Sequence, residues 1–348
     1  MWFSLLLIGM LGLSLLLNLS FGFRGLRKAF ATSHPRHLDD NLIEELVEDN
    51  DSTHKIAVIR IEGMIGSEAV EPGGLTFVEV VRDQLDRAAA DTAVKAVILK
   101  VDSPGGEVLA SDEIYQLLRD FQKKPGGKPV VASMGNLAAS GGYYVSAPCR
   151  WIVANELTLT GSIGVIMHGL NYRSLMDKVG IRPQVFKSGR FKDMLSGMKT
   201  PEEESAEEKA MVQEMVMETY GKFRNVVEEG RGWAVSMNGS ADDEKDRGRK
   251  LVRNWEDYAD GRILSGKTAY EKGFVDELGN FGTAVSRAED LAGIEDSNLI
   301  EYRLPFHFGG LLRLLGQSEA RGVKVDLGFD FPRLTAGRLY FLAPSFFN

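Results

Sequence analysis

"VKAVILKVDSPGG", residues 94–106, is a run of aliphatic and β-branched residues that stops at a proline and two glycines. Such a run reads as a buried strand closed by a turn. The flanking segments repeat the pattern. Upstream, "KIAVIRIEGMIG" (55–66) is a second apolar strand that meets glycines. "GLTFVEVVRDQLDRAAAD" (74–91) then sets Phe77, Val80, Val81, Leu85 and Ala88 at helical spacing. Downstream, "SDEIYQLLRDFQKK" (111–124) predicts a short amphipathic helix with Ser111 as its N-cap. "KPVVASMGN" (128–136), "RWIVAN" (150–155) and "SIGVIMHG" (162–169) read as further strands. Strands alternating with helices build βαβ units and a mostly parallel sheet, so the expected class is α/β.

Beyond this core, residues 200–230 predict a long helix. Thr200 is its expected cap, Pro201 sits in its first turn and Glu203 completes a capping box. Residues 238–250 are polar and read as a loop. "GRILSGKTAYEKGFVDELGN" (261–280) closes the domain with a helix and a turn. The apolar pieces of residues 300–348 are too short to span a membrane. They are expected to pack on a neighbour or to lie at a bilayer surface.

Residues 2–23 carry no charge. Roughly 20 apolar residues span a bilayer as a helix. The "NLSFGF" exit lacks a small-x-small cleavage pattern, so residues 1–23 are expected to be an uncleaved transmembrane anchor. Residues 24–54 follow as an acidic linker, 55–295 as the folded domain and 296–348 as a C-terminal extension. Arg24, Arg27 and Lys28 follow the apolar run, and by the positive-inside rule they would keep the bulk of the chain in the cytoplasm. A net charge of −8 over 348 residues, with no basic stripe, excludes a nucleic-acid surface. The single cysteine, Cys149, excludes an intrachain disulfide and a CxxC metal site, and reads as a small core residue.

"GNLAASGGYYVSAP" (135–148) sets Ser140 among small residues ahead of an aromatic pair. The stretch is either a tight strand-to-helix corner capped by a serine or the setting of a nucleophile. Five histidines are present, three of them in or beside the linker, and no GxSxG elbow accompanies them. HExxH and P-loop patterns are absent, so no metal and no cofactor is expected. "SGMK" (196–199) and "KSG" (187–189) mimic penicillin-binding motifs but stand in the wrong order. A lysine can activate a serine once burial makes its amine neutral. "DSPGG" (102–106) and the amide of Gly141 could supply main-chain donors to an oxyanion.

Taken together, "VDSPGG", "MGNLAASGGYYVSAP", "LTGSIGV", "FKSGRFKDMLSG" and "GRILSGKTAYEKGFVDELG" resemble the signal peptide peptidase A family in its short, single-repeat bacterial form, over about Lys55–Ala292. The resemblance implies a ClpP/crotonase-like fold behind an N-terminal transmembrane helix. It also implies a Ser-Lys dyad endopeptidase that faces away from the cytoplasm and degrades remnant signal peptides and similar hydrophobic peptides. By motif, Ser140 is the nucleophile, Lys192 the base and Ser162 the residue that orients the lysine. Gly106 and Gly141 supply the oxyanion amides. The resemblance further implies a ring-shaped homo-oligomer in which serine and lysine come from adjacent subunits, held at membrane lipid. Two departures are evident: 238–250 reads as an insertion, and "SGMK" stands where serine-proline is usual. The outward orientation also opposes the charges after the anchor.

Each residue has a plainer reading. Ser140 could cap a helix, Lys192 could be a surface lysine, Ser162 could satisfy a backbone group, and Tyr143 and Tyr144 could be packing. Two other functions compete: a crotonase-like acyl-CoA enzyme and a catalytically idle membrane scaffold.

Overall fold

The run at 94–106 becomes the middle of the molecule. A computed structural model of the chain describes residues 42–69, 74–239, 241, 243, 246–304 and 339–343. β1 (Ile43–Glu48) is followed by β2 (Lys55–Glu62), which α1 (Phe77–Ala90) joins to β3 (Val94–Ser103). β4 (Gly105–Glu107) leads into α2 (Val108–Lys123), and β5 (Val130–Ala139) into α3 (Gly141–Ser146). β6 (Trp151–Ala154), β7 (Leu159–Gly161) and β8 (Ile166–Met167) precede α4 (Arg173–Lys178) and the long α5 (Ala206–Asn238). β9 (Ile263–Ser265), α6 (Gly266–Glu271), β10 (Glu277–Leu278), α7 (Phe281–Ala292), β11 (Asn298–Arg303) and β12 (Leu339–Leu342) complete the described chain.

Among the described residues the main sheet runs β1-β11-β2-β3-β5-β6-β10, with β7 beside β5 and β9 beside β7. Every pairing from β11 to β10 is parallel; β1 joins the edge antiparallel. The strands read as near-continuous apolar runs because both faces are covered. Alternation still sorts the side chains. Ile56, Val58, Ala96 and Ile98 point to one face, where α7 packs through Ala284 and Ala288. Ala57, Ile59, Ile61, Val97, Leu99 and Val101 point to the other, under α1 and α2. Each such valine, leucine or isoleucine, wholly withdrawn from water, contributes about 1.5–3 kcal/mol, and each alanine less. The α/β class and the parallel-rich sheet stand as expected. β4, β12 and β8 form a separate antiparallel sheet in that order.

Five local expectations are corrected. Ser111 is not an N-cap: α2 begins three residues earlier, and the buried Ser111 hydroxyl donates to Glu107 O at 2.8 Å. Thr200 does not cap α5: Ser205 does, in a capping box with Glu208. Ser205 wins because Glu208 reaches back to its amide at 3.1 Å, while Thr200 and Glu203 close only a local turn. "SIGVIMHG" yields only the two-residue β8. Within the expected acidic linker, residues 43–48 pair with β11. Within the C-terminal extension, β11 lies beside β2, and β12 is buried in this chain's own fold.

Among the described residues no helix is long and apolar enough to cross a membrane. The expected anchor at 1–23 lies outside them.

Candidate active site

β5 ends where its last residue, Ala139, pairs with Gly161 of β7. The next amide, Ser140 N, donates to Gly161 O at 2.8 Å, and α3 starts immediately. No room is left for a relaxed turn, and Ser140 adopts φ 55° and ψ −116°. A non-glycine residue held so costs of order 1–3 kcal/mol, and such strain concentrates at functional sites. The capping role fails, because the Ser140 side chain makes no cap hydrogen bond. Its residue is 1% exposed and its Oγ has no partner. A buried hydroxyl with nothing to bond is an unspent donor and acceptor.

Two amides lie beside it. A Cβ on Gly141 would stand 3.0 Å from Gly105 Cα and 3.1 Å from Gly106 N, so only glycine lets α3 approach β4 this closely. Gly105 O accepts from Ile65 N and Glu107 N donates to Ile65 O, both at 2.8 Å. Alternation along the strand therefore turns the Gly106 N–H to the opposite edge, away from Ile65. Gly105, at φ 103°, is braced by its amide donating to Ser103 Oγ at 3.1 Å.

Ser162 follows Gly161 and so sits next to the Ser140 turn. It too has a positive φ, 50°, is buried, and donates its amide to Arg262 O at 2.8 Å. The structure thus gathers Ser140, Ser162, Gly106 and Gly141. It does not add Lys192. That side chain is exposed on the turn 190–195, and no amine bonds to the unpartnered Ser140 Oγ within one chain.

The neighbouring lysines are different. Lys187 pairs with Asp193 at 2.8 Å, and Lys199 with Asp193 at 3.2 Å and with Glu208. The bond to Glu208 raises the Lys199 amine above its ordinary value, and Lys187 and Lys199 hold the Asp193 carboxyl below the usual range. The Lys199 ammonium is thereby held in the charged form. Lys192 takes part in no ion pair among the described residues.

Tyr143 and Tyr144 are packing residues, as their plainer reading had it: Tyr143 OH donates to Phe274 O at 2.9 Å and Tyr144 OH to Asp112 at 2.6 Å. Cys149 is a core residue whose thiol burial pushes up to about 12. An aromatic cluster of Tyr144, Phe223 and Phe341 was not legible beforehand. Its traces in the sequence are Tyr144 in the pair after Ser140 and the aromatic pair in "LYFL" (339–342), and neither shows that they meet.

A shielded serine on a strained turn, beside main-chain donors on a parallel α/β sheet, is the arrangement of a serine hydrolase. Residues 122–295, which include Ser140, Ser162 and Lys192, match the model of Peptidase family S49. A protein of Enterococcus faecium named "Putative signal peptide peptidase SppA" is 36% identical over 282 residues, 80% of this chain and 74% of that one. A protease of Methanocaldococcus jannaschii is 37% identical over 241 residues, 69% of this chain and 70% of its own. "Serine protease SPPA, chloroplastic" of Arabidopsis thaliana is 30% identical over 243 residues, 69% of this chain but 33% of that longer protein. The chain belongs to peptidase family S49 and is a serine peptidase.

Proposed function

We propose that the chain is a Ser-Lys dyad endopeptidase of hydrophobic peptides, remnant signal peptides among them. The carrying observation is the Ser140 hydroxyl: buried, unpartnered, on a strained turn and next to the Gly106 and Gly141 amides. In this reading a neutral Lys192 amine takes the Ser140 Oγ proton as Oγ bonds to the substrate carbonyl carbon. The two amides hold the oxyanion, and collapse expels the amine product, which receives the proton from the lysine. Water, deprotonated by the same lysine, then bonds to the acyl carbon; the bond from that carbon to Ser140 Oγ breaks, Oγ recovers the proton from the lysine, and the acid product leaves. Ser162 orients the lysine.

A lysine works this way only when dry. Lys192 is exposed in the single chain, which supports a base supplied from an adjacent copy in a homo-oligomeric ring. Leu170, Leu175, Val179 and Phe186, the last 87% exposed, precede it on the same segment and leave apolar surface open to a subunit contact. Residues 1–23 would anchor the ring in membrane lipid, close to hydrophobic segments released there, with the catalytic domain outside the cytoplasm.

The test is labelling by a fluorophosphonate and cleavage of an apolar fluorogenic peptide. Wild type should show both, and Ser140→Ala and Lys192→Ala neither. Labelling that survives Ser140→Ala sinks the assignment.

A further inference from the structure

The strand that delivers Ser140 bends just before it. β3 and β5 pair in step as far as Val101 with Met134, and the next pair is Ser103 with Ala138. β3 thus advances two residues, from 101 to 103, while β5 advances four, from 134 to 138. The surplus is a bulge that starts at Gly135, and bulges re-aim a strand. The new aim shows in the partners: β5 pairs with β6 up to Met134 and with β7 from Leu137.

A bulge interrupts the ladder, so its main-chain groups need other partners. Two side chains supply them. Leu137 N donates to Asp102 Oδ1 at 3.1 Å. Thr158, buried in the turn between β6 and β7, donates its hydroxyl to Gly135 O at 2.8 Å and accepts from Asn155 N at 3.2 Å. Gly135 lets the carboxylate close over the bend: a Cβ there would stand 3.1 Å from Asp102 Cγ. The Asp102 main chain is fixed too, because Gly63 N donates to its carbonyl at 3.0 Å. From Leu137 the chain runs three residues to Ser140, and from Asp102 it runs four to Gly106. One carboxylate therefore ties the strand that delivers the hydroxyl to the strand that delivers an oxyanion amide, upstream of both.

We propose that Asp102 is a positioning residue which, with Thr158, holds the bend at 135–137 and so fixes where Ser140 Oγ stands relative to the Gly106 amide. The inference rests on the reading of Ser140 as nucleophile and Gly106 as an oxyanion donor. Asp102 acts through the backbone rather than by touching the reacting atoms. What the bend needs from it is an acceptor at Oδ1, which an amide oxygen in the same place also provides. Without that acceptor the Leu137 N–H loses its partner and the bend relaxes, and a misplacement of about 1 Å at a reacting atom costs about 10²-fold in rate.

The full-length chain tests this through the rate constant of fluorophosphonate labelling. A fold that is merely weakened lowers the amount of chain labelled; a misplaced serine lowers the rate at which each folded chain reacts. Asp102→Ala should label about 10- to 100-fold more slowly than wild type and lose kcat by the same factor, with KM within about twofold. Asp102→Asn should stay within about threefold of wild type in both rates. Thr158→Val should repeat the Asp102→Ala signature, and Thr158→Ser should not. A wild-type labelling rate in Asp102→Ala, or equal losses in Asp102→Ala and Asp102→Asn, would overturn the inference and, with labelling still abolished by Ser140→Ala, leave the nucleophile standing. If Asp102→Ala yields no folded chain, the Thr158 pair decides, and equal rates in Thr158→Val and Thr158→Ser overturn the inference. Labelling that persists in Ser140→Ala would remove the nucleophile, and the inference with it.

Discussion

Ser140 donates its main-chain N–H to Gly161 O at 2.8 Å, and this one bond makes Ser140 and Ser162 neighbours at the ends of two paired strands. Both serines carry a positive φ, so the backbone is distorted at two adjoining points rather than one. Removing the Ser140 hydroxyl breaks no hydrogen bond. Ser140→Ala is expected to lose activity by about 10³-fold or more while its melting temperature stays within a few degrees of wild type. Parallel thermal melts and peptide hydrolysis check this.

Gly141→Ala should be a different kind of loss. The new methyl would sit 2.8 Å from Ser111 Oγ and 3.1 Å from Gly106 N, displacing the amide pair while leaving the serine in place. Turnover should fall by about 10²-fold, the usual cost of one oxyanion donor. Slow fluorophosphonate labelling should remain. Complete absence of labelling would mean that the turn itself had collapsed.

If the dyad is completed between subunits, Ser140→Ala and Lys192→Ala chains, each inactive alone, should regain partial activity when mixed. Rings demonstrated to contain both chains yet lacking activity would return the dyad to a single chain.

The Lys187–Asp193–Lys199–Glu208 cluster braces the turn that carries Lys192. Asp193 and Glu208 are held below their ordinary values of 3.8 and 4.5, and Lys199 above 10.5. A carboxylate lowered in the fold adds order above its unfolded value and loses it as pH falls through the folded one. A raised lysine adds order below 10.5 and loses it as pH climbs past its folded value. Resistance of residues 186–200 to limited proteolysis should therefore be flat from about pH 5 to 10 and fall outside that window. Lys199→Gln should lower the plateau.

Arg231 and Asp276 form an ion pair in which each side chain is 1% exposed, and Arg231 also donates to Cys149 O. Arg231→Ala leaves a buried carboxylate without its cation and should cost about 3–5 kcal/mol of stability. Urea unfolding measures it.

The sheet was legible because its strands are short apolar runs closed by glycines, and local pattern suffices for that. Ser140, Ser162, Gly106 and Gly141 could be singled out beforehand because each sits in a short motif, and the fold sets them close together. Two kinds of information were not. The helix start at Ala206 depends on which of several candidate caps closes, a contest that Ser205 wins through its box with Glu208, and the start at Val108 carries no side-chain cap hydrogen bond for a sequence to show. β12 pairs with a strand more than 230 residues earlier, and the register of such a partner has no local signal. Its apolar residues read as a surface patch when they are interior. Likewise β1 is acidic because it is an edge strand with exposed side chains, and that composition imitates a linker.

Helix α5 is held unevenly. Apart from Glu208, its buried residues begin at Phe223 and continue through Val226, Val227, Arg231 and Ala234 to Asn238. The distal half is buried against the body, whereas the proximal half is only partly covered and is tied by Tyr220, whose hydroxyl donates to Ala259 O at 2.5 Å, with the lysine-bearing turn bonded near the helix start through Glu208. In a lone protomer, deuterium should enter residues 209–222 well before 223–238. If protomers close into the proposed ring, that gradient should vanish on assembly, and the ratio of the two rates would then gauge how far assembly has gone.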